Sequence, residues 1–274
     1  MRVLACAVAV IAAASISQPA AQQKRRNPVI DLWTKHKTAF GVFVPNENRR
    51  QRGQPPLYTK TGGERLASNA LYDFVLLDLE DAYDSKAISS VAEGLRSSVA
   101  FGRKALIVRI PPIDRDGNDL ARSRVKEALD LGADGVTIPH VQNVEQANLA
   151  IRMYQDAKAD VWSPENPDGE ILSILIVEDP GAVAMAREIA NLRGYSGLAC
   201  GIGTLTQALN GDRGAAEAGV QSVLRETKRV GLMNIITTTA DDVESRVRDG
   251  FSALISYRQN PDAAIRMGRS MTGR

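Results

Sequence analysis

The chain has 274 residues, enough for one large α/β domain or two small ones, and its 34 basic and 32 acidic residues leave a formal charge of +2. So even a balance offers no basic field for nucleic acid or an anionic membrane. With 44% apolar but only 5% aromatic residues, the core must be built from Ala, Val, Ile and Leu, which suits parallel α/β packing and disfavours a β-sandwich.

Met1-Arg2, the apolar run "VLACAVAVIAAASIS" and the small, polar "QPAAQQ" read as a signal peptide of residues 1–21, with cleavage between Ser17 and Ala21. The run is too short for a membrane span, and no apolar stretch precedes Cys6, so no lipid anchor is expected. An exported protein, periplasmic or secreted and free of the membrane after cleavage, is predicted. Of the two cysteines only Cys200 survives cleavage, so no internal disulfide forms and the fold must rest on its core.

From residue 27 onward, β-branched runs alternate with helical stretches. Strands are predicted at 38–44, 74–80, 104–110, 134–141, 172–178, 198–203, 232–237 and 252–257, and amphipathic helices at 119–133, 143–157, 181–192 and 240–250. Asn143 with Gln146 three positions on is a capping-box start, and Gly132 and Gly250 follow the last helical turns as C-caps do. Eight strands in rotation with helices predict a (β/α)8 TIM barrel, a single domain over 27–274. An open doubly wound sheet is the second choice, but no Gly-x-Gly-x-x-Gly opening follows a strand. Residues 45–70 read as the longest irregular piece, on the catalytic face, and 161–170 as a loop of the opposite face.

In such a barrel the active groups come from the C-terminal ends of the strands. The polar residues there are Asn46 and Glu47, then Asp78, Glu80 and Asp81, then Arg109, His140, Glu178 and Asp179, Thr204, Thr237 and Thr238, and Tyr257 and Arg258. Alternation puts Asp78 and Glu80 on one face. Buried against helices they would be unpaired, so they are expected to point inward. There they need Arg109, a metal ion or shared protons; a structural ion-pair network closing the barrel end is the other reading. His140, after Pro139, is a candidate base. His36 in "TKHK" is expected in solvent. The basic stretch 48–52 is expected to be a solvated loop, with a role in holding an anionic substrate open, and Cys200 is expected to be an inert core thiol.

The segments "NPVIDLWTKHKTAFGVFV", "FVLLDLEDAYD", "LIVRIPP", "ALDLGADGVTIPHV", "ILIVEDPGAVAMAREIA" and "GLACGIGTLTQAL" occur in the order found in the HpcH/HpaI aldolase/citrate lyase β-subunit family, which the chain resembles from about Asn27 to Tyr257. The resemblance implies an oligomeric (β/α)8 barrel that breaks or forms a C–C bond next to a small 2-oxo acid or related acid. In that family a divalent metal, Mg or Mn, holds the developing enolate, an arginine steadies the oxyanion and a base moves the proton. By motif, Arg109 matches the arginine and Glu178 the metal-binding glutamate, with Asp78 and Glu80 in the acidic surround of the metal. Asp130 matches the aspartate that pairs with the base in the aldolase branch, and Gly203 and Thr204 fall in the substrate-binding segment.

The chain also departs from the pattern. Asp81 stands where the aldolase branch keeps histidine, which removes that His–Asp dyad. Thr204 stands where a second metal-binding aspartate is usual, Ile176 replaces a frequent glutamine, and the loop 161–170 is short. An aldolase-type lyase acting on a small carboxylated substrate is therefore expected, with His140 or Asp81 moving the proton. A metal-assisted hydrolase or eliminase, and a carboxylate-binding barrel without catalysis, are the alternatives.

Overall fold

Eight parallel strands close on themselves in chain order: β1 (Ala39–Phe43), β2 (Phe74–Asp78), β3 (Ala105–Arg109), β4 (Gly135–Ile138), β5 (Leu172–Val177), β6 (Gly197–Cys200), β7 (Met233–Thr238) and β8 (Ala253–Ser256). The computed structural model describes residues 27–48, 54–257 and 260–274. The predicted signal peptide, Arg258 and most of the basic stretch 48–52 lie outside the described residues. Every strand falls inside or within a residue of its predicted run, and helices fill the intervals, so the (β/α)8 expectation holds and the open sheet does not. β1 closes the barrel on β8 with Ala39 opposite Ala253.

Alternation divides the core in two. Val75, Leu77, Leu106, Val108, Leu175 and Val177 face the helices and join one buried cluster. Their neighbours Phe74, Leu76, Ala105, Ile107, Leu172 and Ile174 belong to a second cluster that fills the barrel. Burial on both faces is why these strands read as nearly unbroken apolar runs. Among the described residues no helix is long and apolar enough to cross a membrane.

The N-terminal end of the barrel is plugged. Asn27 caps the helix Pro28–Trp33, accepting from the Val29 amide at 3.1 Å and donating to the carbonyls of Asp134 and Glu170 at 3.2 and 3.1 Å. Val29 and Ile30 are buried with the inner strand residues, and Trp33 lies 4.4 Å from Trp162 between ring centroids. Residues 161–170 thus sit on the face opposite the strand C-termini, as their place before β5 implied.

Two segments differ from expectation. Residues 181–192 form two short helices, Pro180–Ala184 and Ala186–Ala190, separated at Met185, whose φ of −94° and ψ of 16° leave the helical region. Within 45–70 there is a helix, Lys60–Ala67, capped by the Thr59 hydroxyl, which accepts from the Gly62 amide at 3.0 Å. Its two glycines weaken the helical signal, yet Gly63 is what lets it form here. Gly63 lies against Gly94 of the helix Ser85–Arg96 with no side chain between the backbones. A Cβ at Gly63 would stand 2.7 Å from the Val91 carbonyl oxygen.

Cys200 is buried on the outer side of β6. Burial first, then the charge of Glu178, pushes its thiol up to about 12.

Two outcomes follow from this packing. Gly63→Ala is expected to lower the urea-unfolding free energy by about 1–2 kcal/mol, because the clash is with fixed backbone and outweighs the ~1 kcal/mol of helix propensity that alanine adds. In a Cys6→Ser chain, Cys200 is expected to resist a disulfide-exchange reagent at pH 8 for hours and to react at once in denaturant; fast labelling of the folded protein contradicts the packing described.

Candidate active site

Strand register brings the first pair together. Asp78 and Arg109 are directly opposite on β2 and β3, each the last residue of its strand. Arg109 Nε donates to Asp78 Oδ1 at 2.8 Å and Nη2 to Oδ2 at 2.5 Å, the forked pairing that suits a guanidinium to a carboxylate. Just beyond the strand the chain folds back, the Glu80 amide donating to Asp78 Oδ1 at 3.2 Å. This turns the Glu80 side chain inward, where Oε2 lies 2.9 Å from Arg109 Nη2. Burial by itself would lower the Arg109 pKa. Its hydrogen bonds to Asp78 and the charges of Asp78, Glu80 and Glu178 reverse this and hold it above the ordinary arginine value.

His140 continues the network. Its Nε2 lies 2.7 Å from Glu80 Oε1; a carboxylate only accepts, so Nε2 carries the hydrogen. Nδ1 is 3.3 Å from Glu178 Oε1, and the His140 amide donates to the same oxygen at 3.2 Å. His140 adopts φ of 55°, a left-handed conformation uncommon outside glycine, and these contacts to Glu178 hold it there. Glu178 is 3% exposed. Its Oε2 has no hydrogen-bond partner among the described residues and lies against Gly201, where any side chain would collide with it.

Asp78, Glu80, Arg109, His140 and Glu178 are thus one connected group at the mouth. The other predicted residues do not join it. Asp81 is exposed and makes no hydrogen bond or ion pair with the described residues. Asp130 ends the helix Asn118–Asp130. A helix that follows one strand and leads to the start of the next ends at the N-terminal face, so Asp130 is remote from the mouth. Its side chain is 62% exposed and pairs with Lys126 at 2.5 Å. Gly203 and Thr204 are exposed in the first turn of the helix Ile202–Ala208. Glu47 braces Thr59 and Arg65, and Asp179 caps its helix by accepting from the Gly181 amide. His36 is exposed on the opposite face.

Residues outside the predicted set also reach the mouth. Tyr58 donates its hydroxyl to the Asp78 carbonyl at 3.4 Å; burial, then the Asp78 charge, raises its pKa and keeps it a donor. Arg115 donates to the Glu80 carbonyl. Tyr58 lies in 45–70, whose catalytic-face address is its sequence signal, and Arg115 lies in the short helix Ile113–Asp116 that follows β3. Beneath the charged group is a cavity of ≈ 60 Å³ that Arg109 and Glu178 border.

The donor set fits a resident divalent metal poorly. Both oxygens of Asp78 are bonded to Arg109, and those of Glu80 are divided between Arg109 and His140. Thr204 offers a neutral, exposed hydroxyl. Of the predicted metal residues Glu178 alone keeps an uncommitted carboxylate oxygen, whereas a hard cation wants six or more oxygens, several of them charged. Among the described residues no three His, Cys, Asp or Glu side chains are grouped to hold an ion. In this arrangement Asp78 and Glu80 serve as counter-ions of Arg109 and His140.

The fold and the site together define a parallel (β/α)8 barrel whose buried ionisable groups gather at the C-terminal mouth. The chain belongs to the HpcH/HpaI aldolase/citrate lyase family, whose sequence profile matches residues 64–254. The 2-dehydro-3,6-dideoxy-6-sulfogluconate aldolase of Pseudomonas putida is 25% identical over 149 residues, 47% of this chain and 58% of that protein. The chain therefore aligns with little more than half the length of that relative. An HpcH/HpaI aldolase from Desulfitobacterium hafniense DCB-2 superposes with a TM-score of 0.64 at 20% identity, over 88% of this chain and 94% of the other. A citrate lyase β subunit from M. tuberculosis, complexed with oxaloacetate and magnesium, does so with a TM-score of 0.57 at 20% identity, over 86% and 97%.

Arg109→Met leaves three inward carboxylates without their main counter-ion. It is expected to lower the urea-unfolding free energy at pH 7 by about 2–4 kcal/mol, the lower part of that range reflecting a partly solvated mouth; an unchanged midpoint contradicts the pairing.

Proposed function

We propose that the protein is an aldolase-type carbon–carbon lyase acting on a small 2-oxo or 2-hydroxy acid. The observation that carries this is a pair of uncommitted groups on one cavity. Arg109 spends Nε and Nη2 on Asp78 and Glu80, leaving the two N–H groups of Nη1 without a partner among the described residues. Glu178 spends Oε1 on His140 and leaves Oε2 free. Both residues border the same cavity.

A fixed cation and a carboxylate held by a histidine can serve a retro-aldol step. Glu178, positioned by His140, takes the proton of the substrate hydroxyl as the C–C bond breaks. The bonding electron pair moves into the enolate, whose oxygen Arg109 Nη1 stabilises as charge develops. The proton then returns to the enolate carbon, giving an aldehyde and a 2-oxo acid. These steps use this chain's own side chains. Residues 1–21 support an exported protein, and for an exported enzyme a free small acid suits the site better than an acyl thioester, a class of substrate found inside cells.

The commitment of Asp78 and Glu80 to internal pairs also favours a second reading, a barrel that binds a carboxylated molecule without turning it over. One assay separates the two. Purified protein is incubated with a panel of 4-hydroxy-2-oxo acids, with magnesium or manganese present, and 2-oxo acid release is followed. Release is expected, and Arg109→Lys and Glu178→Gln are each expected to lower kcat by about 10²–10³. Binding of these acids with no release from any of them supports the binding barrel and overturns the lyase.

A further inference from the structure

The mouth is layered. Leu76, Ile176 and Ile235 each stand two positions before a polar residue, Asp78 and Thr237 within their own strands and Glu178 one residue past the end of β5. By alternation they point the same way, one layer deeper. Together with Phe43, Ala199 and Ile255 they line the cavity of ≈ 60 Å³ under Arg109 and Glu178. Leu76, Ile176, Ile235 and Ile255 are all buried, and none of the six carries a polar side-chain atom. About 10–15 Å³ of such space holds one water-sized group, so the cavity holds about four to six. Water there has hydrogen-bonding partners at its upper rim only, whereas methylene groups lose nothing by being surrounded with hydrocarbon.

We propose that this layer is a hydrocarbon subsite, and that the acid taken by the site carries an unbranched alkyl group of about two to four carbons, which descends below Arg109 while its 2-oxo acid head stays at Nη1. This rests on the reading of Arg109 as the group that holds the oxo oxygen. The depth and composition of the cavity set the specificity. Ile176, Ile235 and Ile255 offer no partner to a hydroxyl, so a polyhydroxylated chain of equal length loses its hydration without return. Ile176 is the main determinant, because it stands directly below Glu178 on β5 and separates the charged layer from the apolar one.

The test is a calorimetric binding series of straight-chain 2-oxo acids from two to eight carbons, alongside a hydroxylated acid of matched length. Affinity is expected to rise about three- to fourfold per added methylene until the cavity is full, and then to level off. The hydroxylated acid is expected to bind at least tenfold more weakly than its alkyl counterpart. In Ile176→Gln the dependence on chain length is expected to flatten; if that variant does not fold, the wild-type series alone decides. Binding that is independent of chain length, or that favours the hydroxylated acid, overturns the hydrocarbon subsite and leaves the lyase reading standing. Failure of every acid to bind overturns both.

Discussion

The mouth of this barrel depends on one guanidinium. Three carboxylates from β2, the turn after it and β5 face inward, where they would repel one another and be costly to desolvate. Arg109 is one strand from Asp78 and in register with it, so the bidentate pair follows from the strand pairing itself. With Asp78 fixed, the turn at Glu80 is fixed. With Glu80 fixed, His140 has an acceptor for Nε2, and His140 in turn holds Glu178. Lysine at position 109 would supply the charge without the fork, and it is the fork that leaves one edge of the cation facing the cavity.

The pairing also sets the character of the site. Asp78 and Glu80 act as internal counter-ions, so their negative charge is spent before any ligand arrives. A ligand therefore meets Nη1 of Arg109 and Oε2 of Glu178 in place of an open ring of acids. The family resemblance places these residues together, but it does not say how their oxygens are shared out. That sharing is the difference between an acidic metal surround and a balanced ion-pair chain.

Much of this was legible in the sequence. The strands announce themselves because both faces are buried, giving short aliphatic runs ended by Asp, Glu, Arg or Gly. Their alternation then gives Asp78, Arg109, His140 and Glu178 a common address. The helix Lys60–Ala67 was hidden because its glycines serve contact between two backbones, a long-range fact that local propensity does not register. For Asp130 the only signal is the motif, and Gly132 just after it and β4 starting at Gly135 mark the N-terminal end of the barrel. Asp81 shares the acidic run of its neighbours but not their direction, because the chain turns at Glu80 and leaves Asp81 in solvent. The division of each carboxylate between partners depends on ångström-scale placement, which residue spacing does not encode.

Plugging of the N-terminal end gives the barrel the topology of a blind well. Asn27 pins its helix across the base, and Val29, Ile30 and the two tryptophans leave the strand C-termini as the route in and out. Whatever lies deepest enters first and departs last. On the lyase reading, a fragment seated below Arg109 would leave after the one above it. The order of product release would then be set by the stopper at the far end of the barrel, although no residue of that stopper touches the chemistry.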